Sequence, residues 1–583
     1  MPQPDVVLVH PPSVYDFRQK TILYGPVSDL VPSTTVFEMY PVGLTTIAEY
    51  LERHGYQTRI LNLAVRMLRE PRFDPEKALA KLNPKAFGID LHWLPHAQGA
   101  LEVAKIIKKY HPDTPVIFGG FSATYFEQEL CGYPQVDFVV KGDSTEEPVL
   151  ELINRIVRGR EIDDVPNLTW KDGSGQVRSN PITHSPQNLD HVLMDYSYVV
   201  QSVVRDRDMA SYIPFRNWLD YPITAAIMVR GCMHNCVTCG GSSYTFRRIF
   251  NRDCPAYRSP HDLAQDIKGI SNFSRGPIII IGDIRQPGME YAHQLLDELR
   301  GSRNPFILEF FQPASREFVQ EIAASIPNFV LEMSLESHDP QVRRAFGKTY
   351  TNEDIEATMS YALDAGCRRL DVFFMTGLPQ QTPASVEATV DYCEHLLKQF
   401  PDGRLFPFIS PLAPFLDPGS MAFDEPEKHG YRLRSRTLEE HRQALLQPTW
   451  KHIINYETNW MTADEIASST YKAGIRLNRL KAQYGLIDHD QADITEARIY
   501  KAMELMEEID HILATEDAEE RAKHLQELKA QVDEVNLSTV CEKSELDLPV
   551  KGLLRIRVPQ VAWFFARRWW NWLLRREAPS LSG

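Results

Sequence analysis

Cysteine is scarce in this chain, at eight residues in 583. That excludes a disulfide-stapled scaffold and predicts reduced thiols in a cytosolic compartment, where any cluster of them points to a metal or to catalysis. Long apolar runs are missing too. No uninterrupted apolar stretch reaches the roughly 18 residues of an ordinary spanning helix. The opening MPQPDVVLVHPP has no basic region and only a short apolar run, which predicts no signal peptide. Positive charge is in deficit, and a net charge of −15 argues against nucleic acid as the main partner. Disorder and collagen-like repeats are excluded as well. Hydrophobic residues at 43% and charged residues at 24% are ordinary for a globular chain, and the length allows two to four domains.

What is present is a regular alternation. DVVLV (5–9), QTRILNL (57–63), KAFGIDL (85–91), TPVIFGG (114–120) and VDFVVKG (136–142) read as buried strands separated by helices at 41–55, 75–83, 97–112 and 145–159. Repeated βα units predict an α/β, doubly wound, Rossmann-like sheet over residues 1–160. Its ligand edge is where the strands end, so His10, His92, Gly119, Gly120, Gly142 and Asp143 are expected on one rim. Residues 161–220 read as a connector with a β-hairpin at 168–178. Six further strands (223–229, 277–283, 306–311, 329–335, 369–375 and 404–410) predict a partial (βα)6 barrel of the TIM type over 221–416, with its chemistry at the C-terminal strand ends. Residues 417–550 read as helical, with 490–535 a solvated helical hairpin or, as the alternative, a partner-binding helix, and 551–583 as a separate tail.

The sharpest motif is RGCMHNCVTCGG (230–241), which places Cys232, Cys236 and Cys239 as CxxxCxxC on the loop after the first barrel strand. Three thiolates on a tight loop can wrap one corner of a [4Fe–4S] cluster and leave the fourth iron to a non-protein ligand. Zinc held by the three Cys and His234 is an alternative, but His234 lies only two residues from Cys232 and from Cys236, closer than usual zinc spacing. Unligated thiols are a third. Cys131, Cys254, Cys367 and Cys393 read as packed or incidental thiols, with a catalytic thiol at Cys254 the less favoured idea.

This loop at the head of a six-strand βα series resembles the radical S-adenosylmethionine (SAM) superfamily, over about 222–416. IIIIGDIR (278–285), SLESHDPQVRRAFGK (334–348) and FFMTGLPQQT (373–382) resemble its later strand-end motifs. The resemblance implies that the open iron chelates the amino and carboxylate groups of SAM, with Gly282, Asp283, Ser334 and Glu336 lining the SAM site. Gly282-Asp283 stands where the family often has Gly-Gly-Glu, and Thr238 where an aromatic often precedes the third Cys. VGLTTIAEYLERHGYQTRIL, VIFGGFSAT and VDFVVKGDSTEEPV resemble a B12-binding domain of the radical-SAM type, over about 5–155. That implies cobalamin, with Gly119, Gly120 and Ser122 admitting the nucleotide tail and Gly142 and Asp143 at the family's Gly-Glu-Gly-Glu site. The D-x-H-x-x-G cobalt motif of many B12 proteins is absent. Val9-His10-Pro11-Pro12 occupies its position, and Asp90-Leu91-His92 imitates it only after the third strand and without the glycine. His10 and His92 read first as hydrogen-bonding residues and second as cobalt ligands. A degenerate domain without cobalamin is the alternative.

The segment 551–576 carries seven Lys/Arg and no acid, so the rest of the chain sums to −15 − 7 = −22. Four Trp and two Phe fall within ten of its residues, which predicts an interfacial helix on an anionic leaflet, against the alternative of a terminal helix packed on the barrel. The combined resemblance is to cobalamin-binding radical SAM enzymes, the branch of the anaerobic Mg-protoporphyrin ester cyclase, hopanoid methylases and archaeal lipid-ring-forming enzymes. It implies methylation of an unactivated carbon of a lipid-like or other hydrophobic substrate through a 5′-deoxyadenosyl radical and methylcobalamin. It also implies a low-potential electron donor of flavodoxin or ferredoxin type. Oxidative cyclisation or other radical C–C chemistry on a lipid or tetrapyrrole is the second reading, and a non-catalytic membrane-bound Fe–S or zinc module the third. The expected location is cytoplasmic, peripheral on the inner face of the cell membrane. No proton-transfer residue stands out.

Overall fold

The computed structural model describes residues 3–28, 42–193, 196–412, 415–514, 517–537, 540–546 and 556–577. Five short parallel strands, β1 (Val6–His10), β2 (Thr58–Asn62), β3 (Ala86–Asp90), β4 (Val116–Gly119) and β5 (Phe138–Val140), form the first sheet in the order β2-β1-β3-β4-β5. Every residue of β1 is buried, as a strand covered on both faces requires. Helices α1 (Val42–Arg53), α2 (Ala97–Tyr110) and α3 (Glu146–Arg158) cover the sheet. The hairpin read as part of the connector, β6 (Leu168–Lys171) and β7 (Val177–Ser179), instead extends this sheet antiparallel beyond β5. The reason is burial. Val165, Leu168 and Trp170 join Leu152 and Ile153 of α3 in one apolar cluster, which pulls the hairpin onto the sheet edge.

After helix α4 (Tyr196–Asp206), a second sheet runs β8 (Thr224–Ile227), β9 (Ile278–Ile281), β10 (Phe306–Phe310), β11 (Phe329–Glu336), β12 (Leu370–Thr376) and β13 (Leu405–Pro411). All six predicted strands form, parallel and paired in sequence order. Alternation decides what each face does. In β9, Ile278 and Ile280 are buried in the main apolar core, while Ile279 and Ile281 are half-buried and line a lumen. Helix α5 (Pro260–Phe273) precedes β9, starting from the Ser259 cap, whose hydroxyl accepts from Asp262 N.

The C-terminal region is helical as expected: α6 (Ala463–Gln483), α7 (His489–Leu513) and α8 (Ala518–Val535). The α7–α8 hairpin is less solvated than its charge predicts. Leu505, Ile509, Leu528 and Val532 lie in the main core, and Asn536 Nδ2 donates to Ile22 O at 2.8 Å. Helix α9 (Val558–Glu577) closes the described chain. No helix among the described residues is long and apolar enough to cross a membrane.

Candidate active site at the domain junction

The loop after β8 presents three half-buried thiols with hydrogen-bond donors aimed at them. His234 N donates to Cys232 Sγ (3.4 Å), Gly241 N to Cys239 Sγ (3.2 Å) and Gln286 Nε2 to Cys232 Sγ (3.7 Å). Burial raises all three thiols, Cys236 to about 12, so metal loading must displace protons. The loop is pinned from below by the turn ending the S-L-E-S…G-K segment. Val237 N donates to Phe346 O at 2.9 Å. Gly347, at φ +116°, approaches so closely that a Cβ would come within 2.8 Å of Asn235 O. Among the described residues no three His, Cys, Asp or Glu side chains stand close enough to share one metal ion. His234 turns its ring edge-on to Phe311, with centroids 5.9 Å apart. A tetrahedral zinc site needs four donors around one point. The donor set therefore fits a cluster, in which each thiolate can take its own iron, better than it fits zinc.

The four residues expected at SAM lie at the ends of β9 and β11. Gly282 N donates to Glu309 Oε2 at 2.8 Å. Asp283 is buried, accepting from Arg285 Nε (2.8 Å) and Phe311 N (3.1 Å), so its carboxylate ties the loops after β9 and β10 together. Ser334 and Glu336 flank a register shift in β11, and Glu336 sits at φ +59°. A left-handed Glu costs roughly 1 kcal/mol or more, a strain that structures tend to keep at functional positions. Lys348, which sequence reasoning left unassigned, is buried and bonds both Ser334 O and Glu336 Oε1, the latter at 2.9 Å.

In the first domain a cavity of about 550 Å³ opens between the β1, β3 and β4 strands and helices α1 and α3. Gly43, Gly119, Gly120, Gly142 and Asp143 line it. Its size and apolar walls suit a cofactor moiety. A Cβ at Gly119 would touch only Val140 O, at an ordinary 3.6 Å, and one at Gly43 would meet nothing within 4 Å. These glycines therefore keep the slot open rather than avoid a clash. Gly120 differs: at φ +114°, its Cβ would come within 2.5 Å of the His92 backbone. Ser122 is buried behind the slot and does not line it, and neither does His10.

Three contacts that sequence reasoning missed clamp this domain to the cysteine loop. Asp143 faces the slot but is paired with Arg252, at 2.5 Å, both side chains 2% exposed. Arg230, just before the loop, pairs with Glu146 of α3 at 2.5 Å. Burial opposes ionisation of Glu146, but Arg230 beside it holds its carboxyl down to about 2. Trp93 Nε1 donates to Asp417 Oδ1 (3.3 Å), while Gly240 N donates to Asp417 Oδ2 (2.9 Å).

A second, larger cavity of about 700 Å³ fills the barrel lumen and its open side. Its walls are apolar: Val199 and Val203 of α4, Phe215, Ile279, Phe373 and the tail's Phe565. Val42, His92 and Ile281 belong to both cavities, so the two meet there. The acidic residues lining the lumen are Glu332 and Asp371. Glu309, Glu332 and Asp371 are in register across β10, β11 and β12. Like charges so placed repel. Asp371 is relieved by Arg369 Nε at 2.7 Å. Burial, then Asp371 and Glu309, push Glu332 up to about 8. Glu332 thus keeps its proton from about pH 4.3, where an unfolded glutamate loses it, to about pH 8, and stability falls as pH rises through that window. Glu332→Gln removes this titration. Its Tm should fall less than the parent's between pH 5 and 8, by about 2 °C or more. Equal slopes by calorimetry would show Glu332 ionised.

The comparisons with known proteins agree with this geometry. The B12 binding domain family matches residues 29–150, and the radical SAM superfamily matches residues 226–393. The chain is 27% identical over 292 residues to the hopanoid C-3 methylase of Methylococcus capsulatus, covering 48% of this chain. That match spans half of the methylase's length. It is 23% identical over 430 residues to the cytidylyl-2-hydroxyethylphosphonate methyltransferase of Streptomyces wedmorensis, covering 65% of this chain and 78% of that one. Among solved structures, the radical S-adenosylmethionine methyltransferase TsrM from Kitasatospora setae, with cobalamin and a [4Fe-4S] cluster bound, shares the fold at a TM-score of 0.57 and 15% identity, covering 92% of this chain and 100% of that one. OxsB, a cobalamin-dependent S-adenosylmethionine radical enzyme, does so at 0.52 and 13% identity, covering 97% and 84%. The chain thus matches a B12 binding domain and, after it, the radical SAM superfamily, and the two matched segments meet beside the three-cysteine barrel loop.

Proposed function

We propose that the protein is a cobalamin-dependent radical SAM methyltransferase acting on an unactivated carbon of an apolar, lipid-like substrate. The observation that carries this reading is the meeting of the slot and the lumen at Val42, His92 and Ile281, beside the three-thiol loop. Cys232, Cys236 and Cys239 would hold a [4Fe–4S] cluster, Gly282, Ser334 and Glu336 would face SAM, and Gly43, Gly119 and Gly142 would admit a corrinoid tail. Asp283 and Lys348 hold those loops in place. The chemistry such groups supply when bound is a reductively generated 5′-deoxyadenosyl radical and delivery of a methyl group. An electron donor of flavodoxin or ferredoxin type would serve the reduction. Apolar lumen walls exclude water from a radical. Protonated Glu332 can donate a hydrogen bond to a substrate oxygen at the cavity's polar end.

The test is anaerobic reconstitution, reduction and incubation with methyl-labelled SAM and fractionated lipids. Label in a lipid product supports methyl transfer. SAM cleavage without label transfer favours radical cyclisation, and no SAM cleavage favours a non-catalytic module.

The tail supports a cytoplasmic protein resting on the inner face of the membrane. Arg557 N donates to Phe273 O at 2.9 Å, and Phe564 packs edge-on to Phe273 of α5. Ile556, Val561 and Phe565 wall the lumen, while Trp563 is 62% exposed with Arg567 over its ring. Helix α9 thus has one face on the cavity and an aromatic, basic face outward; side chains beyond Arg567 lie outside the described residues. Trp563→Glu should weaken binding to phosphatidylglycerol vesicles roughly tenfold while leaving phosphatidylcholine controls unchanged. Unaltered co-sedimentation would sink the anchor.

A further inference from the structure

His92 stands where the two cavities join, and it is the only ionisable side chain common to both linings among the described residues. Its Nδ1 lies 2.8 Å from Oδ2 of Asp90, the last residue of β3, and Asp90 also meets His10 Nδ1 at 3.1 Å. Asp90 is nearly enclosed at 5% exposure, whereas the His92 side chain keeps 25%. An imidazole tied at one nitrogen to a carboxylate has its proton and its ring plane set, which leaves the lone pair on Nε2. Carboxylates that accept the proton of the other ring nitrogen impose this arrangement on metal-bound histidines.

The backbone beneath the ring is held as firmly. Gly120 presses on His92 N and Cα, where a Cβ would come within 2.5 Å, and Ser122 N donates to His92 O at 3.4 Å. The next residue, Trp93, is anchored through Asp417. The ring is therefore fixed at Nδ1 and along its backbone, and open toward the cavities.

We infer that His92 supplies an axial nitrogen ligand to the cobalt of a corrinoid in this junction, with Asp90 as its positioning residue. The inference rests on the corrinoid reading of the slot. It places the ligand after the third strand, not after the first as in the D-x-H-x-x-G pattern. His10 is not that ligand, because it is fully buried and lines neither cavity.

The test is electron paramagnetic resonance of the full chain loaded with cobalamin and reduced to cobalt(II). An axial nitrogen-14 splits each cobalt line into a triplet. Protein labelled with nitrogen-15 histidine and loaded with unlabelled cobalamin gives doublets only if the nitrogen belongs to the protein, so this arm needs no variant. Doublets are expected. His92→Ala is expected to lose the nitrogen splitting yet retain cobalamin. Asp90→Asn should keep the splitting and weaken cobalamin binding about tenfold. Bound cobalamin without nitrogen splitting, triplets despite the label, or splitting unchanged in His92→Ala would each overturn the inference. A parent chain that takes up no cobalamin would sink the slot reading itself, and this inference with it.

Discussion

Cys232→Ala should take the iron content from about four per chain to near zero and reduce SAM cleavage by at least a thousandfold, while cobalamin content stays close to that of the parent. The two halves of this expectation come from different structures. A cubane held by three protein thiolates has no spare ligand, and Cys232 is the thiol with two donors aimed at it, His234 N and Gln286 Nε2. An alanine there leaves both donors without their sulfur. The slot, by contrast, is lined mainly by β1, β3, β4 and the helices beside them; Arg230 reaches it, but none of the three cysteines does. Iron, sulfide, zinc and cobalamin measured per chain after anaerobic purification check both halves. Zinc in place of iron in the parent chain would overturn the cluster.

Gly119→Leu should do the converse. Cobalamin retention is expected to drop at least tenfold with iron unchanged. Gly119 has no left-handed φ, so a leucine meets no backbone strain, and its Cβ has room. The side chain then occupies slot volume that a nucleotide tail would need; overpacking a filled site costs typically about 1–3 kcal/mol, and about 1.4 kcal/mol already amounts to tenfold. Gly120→Ala is the poorer experiment. Its Cβ collides with the His92 backbone at a left-handed φ, so a loss there would report distortion. Equal cobalamin in Gly119→Leu and parent would mean that the slot is not where cobalamin binds.

Most of this architecture was legible because its signals are local. Continuous apolar runs such as IIII at 278–281 predicted the strands, and the loop cysteines lie within eight residues of one another. The clamps were not legible, because their partners are remote: Asp143 and Arg252 are 109 residues apart, and Trp93 and Asp417 are 324 apart. No periodicity links such pairs. Asp143 was expected at a cofactor, and a rim position predicted only that it would face the slot, not that Arg252 would claim its charge. Glu309, Glu332 and Asp371 were a different kind of miss. Each stands at an inward position of a predicted strand, and aligning the three strands would have put three acids side by side. The α4 wall of the lumen lies in a segment without a fold-class pattern, and only the open side of the barrel gives those apolar residues something to cover.

Asp417 has one further consequence. It gives one carboxylate oxygen to the loop after β3 and the other to the backbone beside Cys239. A single rigid group shared in this way makes the two sites thermodynamically reciprocal. Whatever factor a filled iron site adds to corrinoid affinity, a filled corrinoid site must return to iron affinity in full. The reciprocity sets no order of loading: each site, once filled, changes the affinity of the other by the same factor, whichever is filled first.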